Sequence, residues 1–354
     1  MSVEYDRICH STVRPSPPNH RRRKLQLIEN FVNKLELGKP ISFKRLTMFP
    51  FTGLAGRSID YLTLDEAHKD GSASVSEVSE SGSVPDLRFL NNGDKPVFLL
   101  DGEELLGAKQ NRILNLSILV PGNSEIDIPV SCVEQGRWSY NSDHFRSSDR
   151  SYFSKGRAKK ARRVSNSLRN RKTARSNQWE IWEDVADKQA EYRVNSASDA
   201  MSDIFEAESG RIDEFVESIH NVPEQAGALF AIDGEVAGFD AFDKPSTLLK
   251  LLPKLVRSYA LDALEGHHQR PSIIGVDTIN EFLKILSSGD INCSPSAGMG
   301  EDYRFKGDAI AGGALINDDD VIHLCAFPLK PEADEFHRNF RSGMTRASYR
   351  RRKH

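Results

Sequence analysis

The chain has 354 residues, 28% of them charged and 38% hydrophobic, a composition that suits a soluble globular protein with one large core or two smaller ones. Its longest apolar runs fall far short of the roughly 18 residues a membrane span needs, and the N-terminal MSVEYDRICHSTVRPSPPNHRRRK has no apolar core, so neither a membrane partner nor a secretory signal is expected. The formal net charge of −3 hides an uneven distribution: residues 137–175 carry 13 Lys/Arg against two Asp, and residues 176–249 carry 17 Asp/Glu against four Lys/Arg, so the first of these segments has an internal partner as well as a nucleic-acid one to choose from.

Four cysteines, Cys9, Cys132, Cys293 and Cys325, lack CxxC spacing. That argues against a zinc knuckle or disulfide framework, and no covalent or zinc cofactor is expected. Cys132 and Cys325 fall in strand-like runs and read as buried thiols. The compartment is read as reducing and cytoplasmic.

In chain order, residues 1–37 read as a mobile polar N-terminus followed by one amphipathic helix. Leu25, Ile28, Phe31, Val32 and Leu35 have helical spacing over residues 23–37. Residues 38–328 read as a single α+β domain, and residues 329–354 as a basic tail. Two short apolar runs within 41–64 look like strands joined by a turn at 52–56. Residues 75–85 have strand spacing but are polar, with Glu77 and Glu80 on opposite faces if extended. LRFL, NNGD and PVFLL at 87–100 then read as a hairpin. Residues 41–136 thus look like one antiparallel β-rich unit.

The most informative stretch is KPVFLLDGEELLGAKQNRILNLSILVPGNSEIDIPVSCVEQGRWSY, residues 95–140. An apolar run stops at Asp101-Gly102, which favours a tight hairpin turn. The chain returns as a long alternating segment, with Leu106, Ala108, Gln110, Arg112, Leu114, Leu116, Ile118 and Val120 on one face of an extended strand. A second strand puts Ile126, Ile128, Val130, Cys132 and then Glu134 on one face. An arginine, a glutamine and a glutamate therefore lie on faces otherwise built for burial. A buried charge is costly unless paired, so Arg112 and Glu134 need partners, and each other is one option. Lys109, Gln110, Asn111, Arg112, Glu134, Arg137 and Trp138 crowd these strand ends. A structural ion pair or an edge guard explains inward charges as well as a site does.

In residues 137–175, Trp138, Tyr140, Phe145, Tyr152 and Phe153 interleave with basic residues. A phosphate-neutralising surface and a loop docked on the acidic half have this same composition. Helices follow at 178–194, 200–205 and 212–219. LFAIDGE at 229–235 then echoes VFLLDGE at 97–103, which predicts a second strand-turn-strand unit. A helix over 248–264 carries Pro253 and should break or kink there. Another, over 278–286, has Asp277 placed to cap it. SPSAGMGEDYRF at 294–305 reads as a glycine-containing loop, and residues 309–327 as a hairpin. His323, inside an apolar strand, reads as a hydrogen-bonded core residue. The fold class expected is α+β, with an antiparallel β-rich core from about 41–136 and 226–328 and helices packed on it.

VSEVSESGSVPDLRFLNNGDKPVFLLDGEELLGAKQNRILNLSILVP and IPVSCVEQGRWSY resemble the signature of the ARG-and-rhodanese-phosphatase-superfamily-associated domain family. QWEIWEDV, PEQAGALFAIDGEVAGFDAF, LLPKLVRSYALDAL and GMGEDYRFKGDAIAGGALINDDDVIHLCAF are similar to its C-terminal half. The likeness runs from about residue 40 to 328. It implies a one-unit α+β domain. It also implies a role near NAD, ADP-ribose and nucleic-acid repair chemistry, through the ADP-ribosylglycohydrolase and rhodanese-phosphatase modules that give the family its name. On motif positions, Glu80, Glu103, Lys109, Gln110, Asn111, Arg112, Glu134, Arg137 and Trp138 are candidate site residues.

Three functions are weighed. In the first, a phosphorylated nucleotide such as ADP-ribose is bound or processed. Lys109, Arg112 and Arg137 hold phosphate, because guanidinium forks match phosphate oxygens. Asn111 and Glu103 complete the binding set, and Trp138 stacks on a base. Glu134 or Glu80, with Gln110, does the chemistry, which for a general base requires a pKa raised by burial. In the second, residues 137–175 and 338–354 bind nucleic acid. In the third, the polar cluster is structural and the chain is a non-catalytic interaction module. No P-loop, strand-coupled GxGxxG or HExxH occurs. Glu80, Glu103 and Glu134 offer oxygen ligands for magnesium if the fold brings them together.

Overall fold

The run GALFAIDGEVAGFDAF folds back at Asp233-Gly234, where both residues have positive φ (53° and 80°), the geometry a two-residue hairpin demands. In the computed structural model, which describes residues 18–54, 59–265 and 274–329, this hairpin is the centre of a nine-stranded sheet. Across the sheet the order is Glu36–Leu37, Leu46–Thr52, Gly227–Ile232, Glu235–Phe242, Asp320–Pro328, Ile310–Asn317, Glu301–Phe305 and Ile291–Pro295, with Ile41–Phe43 paired to Leu46–Thr52. Every pairing is antiparallel. Both faces are covered. Phe49 and Phe51 pack with Ile28, Phe31, Ile279 and Phe282 of the helices Pro18–Asn33 and Val276–Ser288. Met48 and Phe230 face the opposite way, toward Leu255 and Tyr259 of the helix Pro245–Ala263. The period-2 alternation of strand side chains sorts the two cores.

The middle of the chain forms a closed six-stranded barrel, in the order Ser124–Cys132, Asp86–Asn91, Ala73–Glu77, Phe145–Ser151, Glu103–Gly107 and Arg112–Leu114, the last pairing back onto the first. Val75, Leu87, Phe89, Leu105, Leu114, Ile128 and Val130 fill it. A three-stranded sheet of Ile118–Val120, Val97–Leu99 and Leu62–Thr63 joins the two halves. Val97, Leu99, Ile118 and Val120 belong to the barrel's core, whereas Phe98 and Leu119 belong to the core under the large sheet. Helices Ser154–Arg171, Gln178–Tyr192, Met201–Ala207 and Ser209–Ser218 pack into that same core. The α+β class with an antiparallel β-rich core holds. Among the described residues no helix is long and apolar enough to cross a membrane.

Several local expectations are corrected. Asp101-Gly102 is a corner and not a hairpin turn: Val97–Leu99 pairs with Ile118–Val120, while Glu103–Gly107 pairs within the barrel. Likewise Asp86–Asn91 pairs with Ala73–Glu77 and Ser124–Cys132, not with the run that follows it. The long alternating strand is three short ones, broken at Gly107 (φ 133°) and Ala108 (φ 41°). A Cβ on Gly107 would stand 2.6 Å from Ser142 Oγ and 2.7 Å from the His144 carbonyl, so only glycine fits this bend. Strands Ile41–Phe43 and Leu46–Thr52 join the large sheet and not the barrel, so residues 41–136 are not one unit. The echo between 97–103 and 229–235 is local, since only the second Asp-Gly closes a hairpin.

Some helix ends move as well. The first helix spans Pro18–Asn33, because Glu36–Leu37 pairs with Phe51 and Thr52. Pro245–Ala263 continues through Pro253, which sits on its exposed side. Gly275, not Asp277, is the N-cap of Val276–Ser288; Asp277 lies in the first turn, where the helix dipole favours it. The loop expected at 294–305 contains the strand Glu301–Phe305. The N-terminal segment expected to be mobile, up to residue 17, and the tail at 338–354 lie outside the described residues.

Candidate functional site

Arg112 opens its strand opposite Leu105 on one side and Cys132 on the other. Directly paired residues share a face of a sheet, and Leu105 packs in the barrel core, so Arg112 points into the end of the barrel. It is 0% exposed. Its Nη1 donates to the Gln110 carbonyl (3.0 Å), Gln110 Oε1 (3.3 Å) and the Asn111 carbonyl (3.4 Å). Its Nε and Nη2 have no hydrogen-bond partner among the described residues. Burial pulls its pKa below the ordinary arginine value, and the partial compensation includes Glu77. Above it stands the Trp138 ring, 5.9 Å from the guanidinium and 49% exposed.

The other residues of the rim are drawn around this core. Gln110 Nε2 donates to the Glu134 carbonyl at 2.7 Å, and its Oε1 accepts from the Cys132 thiol at 3.2 Å. Glu134 is saturated. Its Oε1 accepts from Arg137 Nε (2.8 Å) and Ser198 Oγ (2.7 Å), and its Oε2 from Arg137 Nη2 (2.6 Å) and the Asn111 amide (2.9 Å). Burial raises its pKa, but these four hydrogen bonds outweigh burial and hold the carboxyl below the ordinary glutamate value. Arg137 also donates to the Ala108 carbonyl. Lys109 Nζ donates to the Glu80 carbonyl at 2.5 Å and lies 5.3 Å and 5.0 Å from the Trp138 and Tyr140 ring centres.

Thus Lys109, Gln110, Asn111, Arg112, Glu134, Arg137 and Trp138 do meet at one end of the barrel. Arg112 and Glu134 are not each other's partners, because Arg137 takes the carboxylate. Glu134 does not have the raised pKa a general base needs. Glu80 is exposed and contributes a main-chain carbonyl. Glu103 stands elsewhere, held by Lys254 Nζ (2.5 Å) and Ser147 Oγ (2.8 Å). Glu80, Glu103 and Glu134 therefore form no magnesium site, and no group of three or more His, Cys, Asp or Glu among the described residues is arranged for a metal.

The basic segment forms Phe145–Ser151 and the helix Ser154–Arg171, and many of its charges are used inside the fold. Lys159 and Arg163 bind Asp184, Lys155 binds Glu265, and Arg175 binds Asp86. Arg157 is fully buried and makes a two-pronged bond to Asp240 (3.0 and 2.6 Å), while Lys160 donates to Asp101 and to the carbonyls of Leu114 and Asn115, each at 3.0 Å. His323 completes this junction, its Nε2 3.3 Å from Asp240 and its Nδ1 2.8 Å from Ser117 Oγ. Ser117, His323 and Asp240 have the residue types of a hydrolase triad. Yet they are 5%, 1% and 0% exposed, and Phe98 and Phe242 pack on the imidazole. His323 is the core histidine its surroundings suggest.

Sequence reasoning missed Glu104. The side chain is 0% exposed and neither carboxylate oxygen has a hydrogen-bond partner. Arg150 Nε approaches to 3.5 Å, and burial pushes the carboxyl up to about 7. The signal available was the adjacent pair Glu103-Glu104 in a strand: neighbours point to opposite faces, so a strand covered on both sides must bury both.

No curated protein and no solved structure matches the chain. The model of the ARG and Rhodanese-Phosphatase-superfamily-associated Protein domain matches residues 34–327, a span that holds the barrel, its rim and nearly all of the large sheet, and the chain belongs to that family.

Proposed function

We propose that the rim of the barrel binds a phosphorylated, nucleotide-type ligand, with ADP-ribose and NAD the first to test. The observation that carries the reading is Arg112: a fully buried guanidinium with two nitrogens unfilled. Leaving buried donors unmade costs about 1–3 kcal/mol per group, more when charged. A phosphate oxygen supplies the missing acceptor, and a guanidinium edge takes two such oxygens at once. Trp138 offers an exposed aromatic face for a base directly above, and Lys109 and Arg137 flank it.

Entry requires the Trp138 ring to move off Arg112. Residues 135–144 lie outside any strand and most of them are exposed. Glu134, already bonded four times, positions Arg137 and the Asn111 amide; it is not the base. The reading is therefore one of binding. A thermal-shift screen tests it. ADP-ribose or NAD should raise the melting temperature saturably, and Arg112→Lys, which keeps the charge but loses the fork, should abolish the shift. If no phosphorylated nucleotide stabilises the wild type, or if Arg112→Lys responds equally, the reading fails.

A further inference from the structure

Away from the rim, strand Phe145–Ser151 loses its register between Ser147 and Ser151. Bulges of this kind re-aim side chains, often beside a site. Here Ser148, Asp149 and Arg150 line a cavity of about 630 Å³ shared with the helix Pro245–Ala263, within the size range of small-molecule sites. Its lining carries five Lys/Arg against two Asp, and none of the rim residues takes part.

The interior of this cleft is fixed. Lys254, 4% exposed, donates to Ser147 Oγ at 2.7 Å and to Glu103 Oε1 at 2.5 Å, and it pairs with Asp65 at 2.7 Å. At the wall, Arg150 has Glu104 behind it at 3.5 Å, but no hydrogen bond joins them. Arg257 is held by Asp213 at 2.8 Å and by Asp149 at 3.4 Å. The exposed Asp149 carboxylate also accepts from Arg150 Nε at 3.1 Å, so a ligand seated between the two arginines displaces Asp149. Arg146 is exposed, lines the cavity and makes no ion pair among the described residues. Cations fixed in a concave wall focus potential on the space between them.

We propose that this cleft is a second binding site, taking the phosphate group of a small phosphorylated ligand between Arg146, Arg150 and Arg257 above Lys254. It is independent of the rim, since it shares no lining residue with it. The test is isothermal titration of the full chain with inorganic phosphate at low salt, for wild type, Arg146→Ala and Arg112→Lys, with melting curves alongside. The wild type should show a saturable phase. That phase should weaken about tenfold or more in Arg146→Ala, the equivalent of losing one charge-assisted contact, and persist in Arg112→Lys. Arg146→Ala should melt with the wild type, so that lost binding is not lost folding. Absence of any saturable phase, or phases that all ignore Arg146, overturns the cleft. A phase lost only in Arg112→Lys overturns it too and assigns phosphate to the rim, so the two readings fail separately.

Discussion

Two groups of buried charge in this chain are built on opposite terms. At the junction between barrel and large sheet, Arg157, Lys160, Asp101, Asp240 and His323 are sealed, and each is hydrogen-bonded to another of the group at 2.6–3.3 Å. At the barrel's end and wall, Arg112 and Glu104 are equally buried, yet two nitrogens of Arg112 and both oxygens of Glu104 have no hydrogen bond, although Arg150 stands 3.5 Å from Glu104. The lesson is that burial alone does not mark a site. A charge hydrogen-bonded to its counter-ion joins elements together; one that lacks such a bond either titrates or waits for a ligand.

That contrast is broken or sharpened by substitution. The largest effect is expected at the junction. Asp240→Ala strands Arg157 in the core and should cost about 3–5 kcal/mol by chemical denaturation. Arg112→Met, which removes the unpaired guanidinium and keeps an unbranched apolar chain, should change stability by less than about 1 kcal/mol. Equal losses in the two variants would make Arg112 as structural as Arg157.

Glu104 comes next. Its folded pKa, about 7, lies above that of an exposed glutamate, so the folded state holds the proton more tightly than the unfolded chain. The stability it contributes is complete below the ordinary glutamate range and is lost as pH rises through about 7. Glu104→Gln should therefore be more stable than wild type near pH 8, by on the order of 3 kcal/mol. Below about pH 4.5 the two should converge. Parallel curves across pH would show that the carboxyl does not titrate abnormally.

Glu134 has the opposite sign. Its folded pKa lies below the ordinary value, so its contribution is present at neutral pH and is lost as pH falls through the folded pKa. Glu134→Gln should lose about 2 kcal/mol at neutral pH, from weakened bonds to Arg137. The gap should narrow on acidification. The smallest effect is expected for Trp138→Ala, within about 0.5 kcal/mol of wild type, because its ring is half exposed. Its consequence should appear instead as lost stabilisation by ADP-ribose.

Much of the fold is legible from alternation and turn chemistry. Asp233-Gly234 closes the hairpin it should, and strands Ile310–Asn317 and Asp320–Pro328 pair as their patterns suggest. The barrel is not legible, because its closure depends on pairings between distant strands, such as Ser124–Cys132 with both Asp86–Asn91 and Arg112–Leu114. Asp101-Gly102 is a turn by composition in either case; which strands it joins is decided by burial on both faces of Val97–Leu99.

At the rim, the breach of alternation by Gln110, Arg112 and Glu134 found residues that do come together. It could not say that Arg137, three positions from Glu134, would take the carboxylate and leave Arg112 alone. Nor could it separate Glu103 from the rim, since Lys254, 151 positions away, supplies its charge partner through tertiary packing.

The claim that Arg112 is held for a ligand is tested most directly by following its own Nε–H resonance by NMR while titrating ADP-ribose. The account predicts a saturable shift of that signal, absent when Trp138→Ala is titrated alike. An Nε–H that stays in place while ADP-ribose stabilises the protein, or that no phosphorylated nucleotide moves, would contradict it.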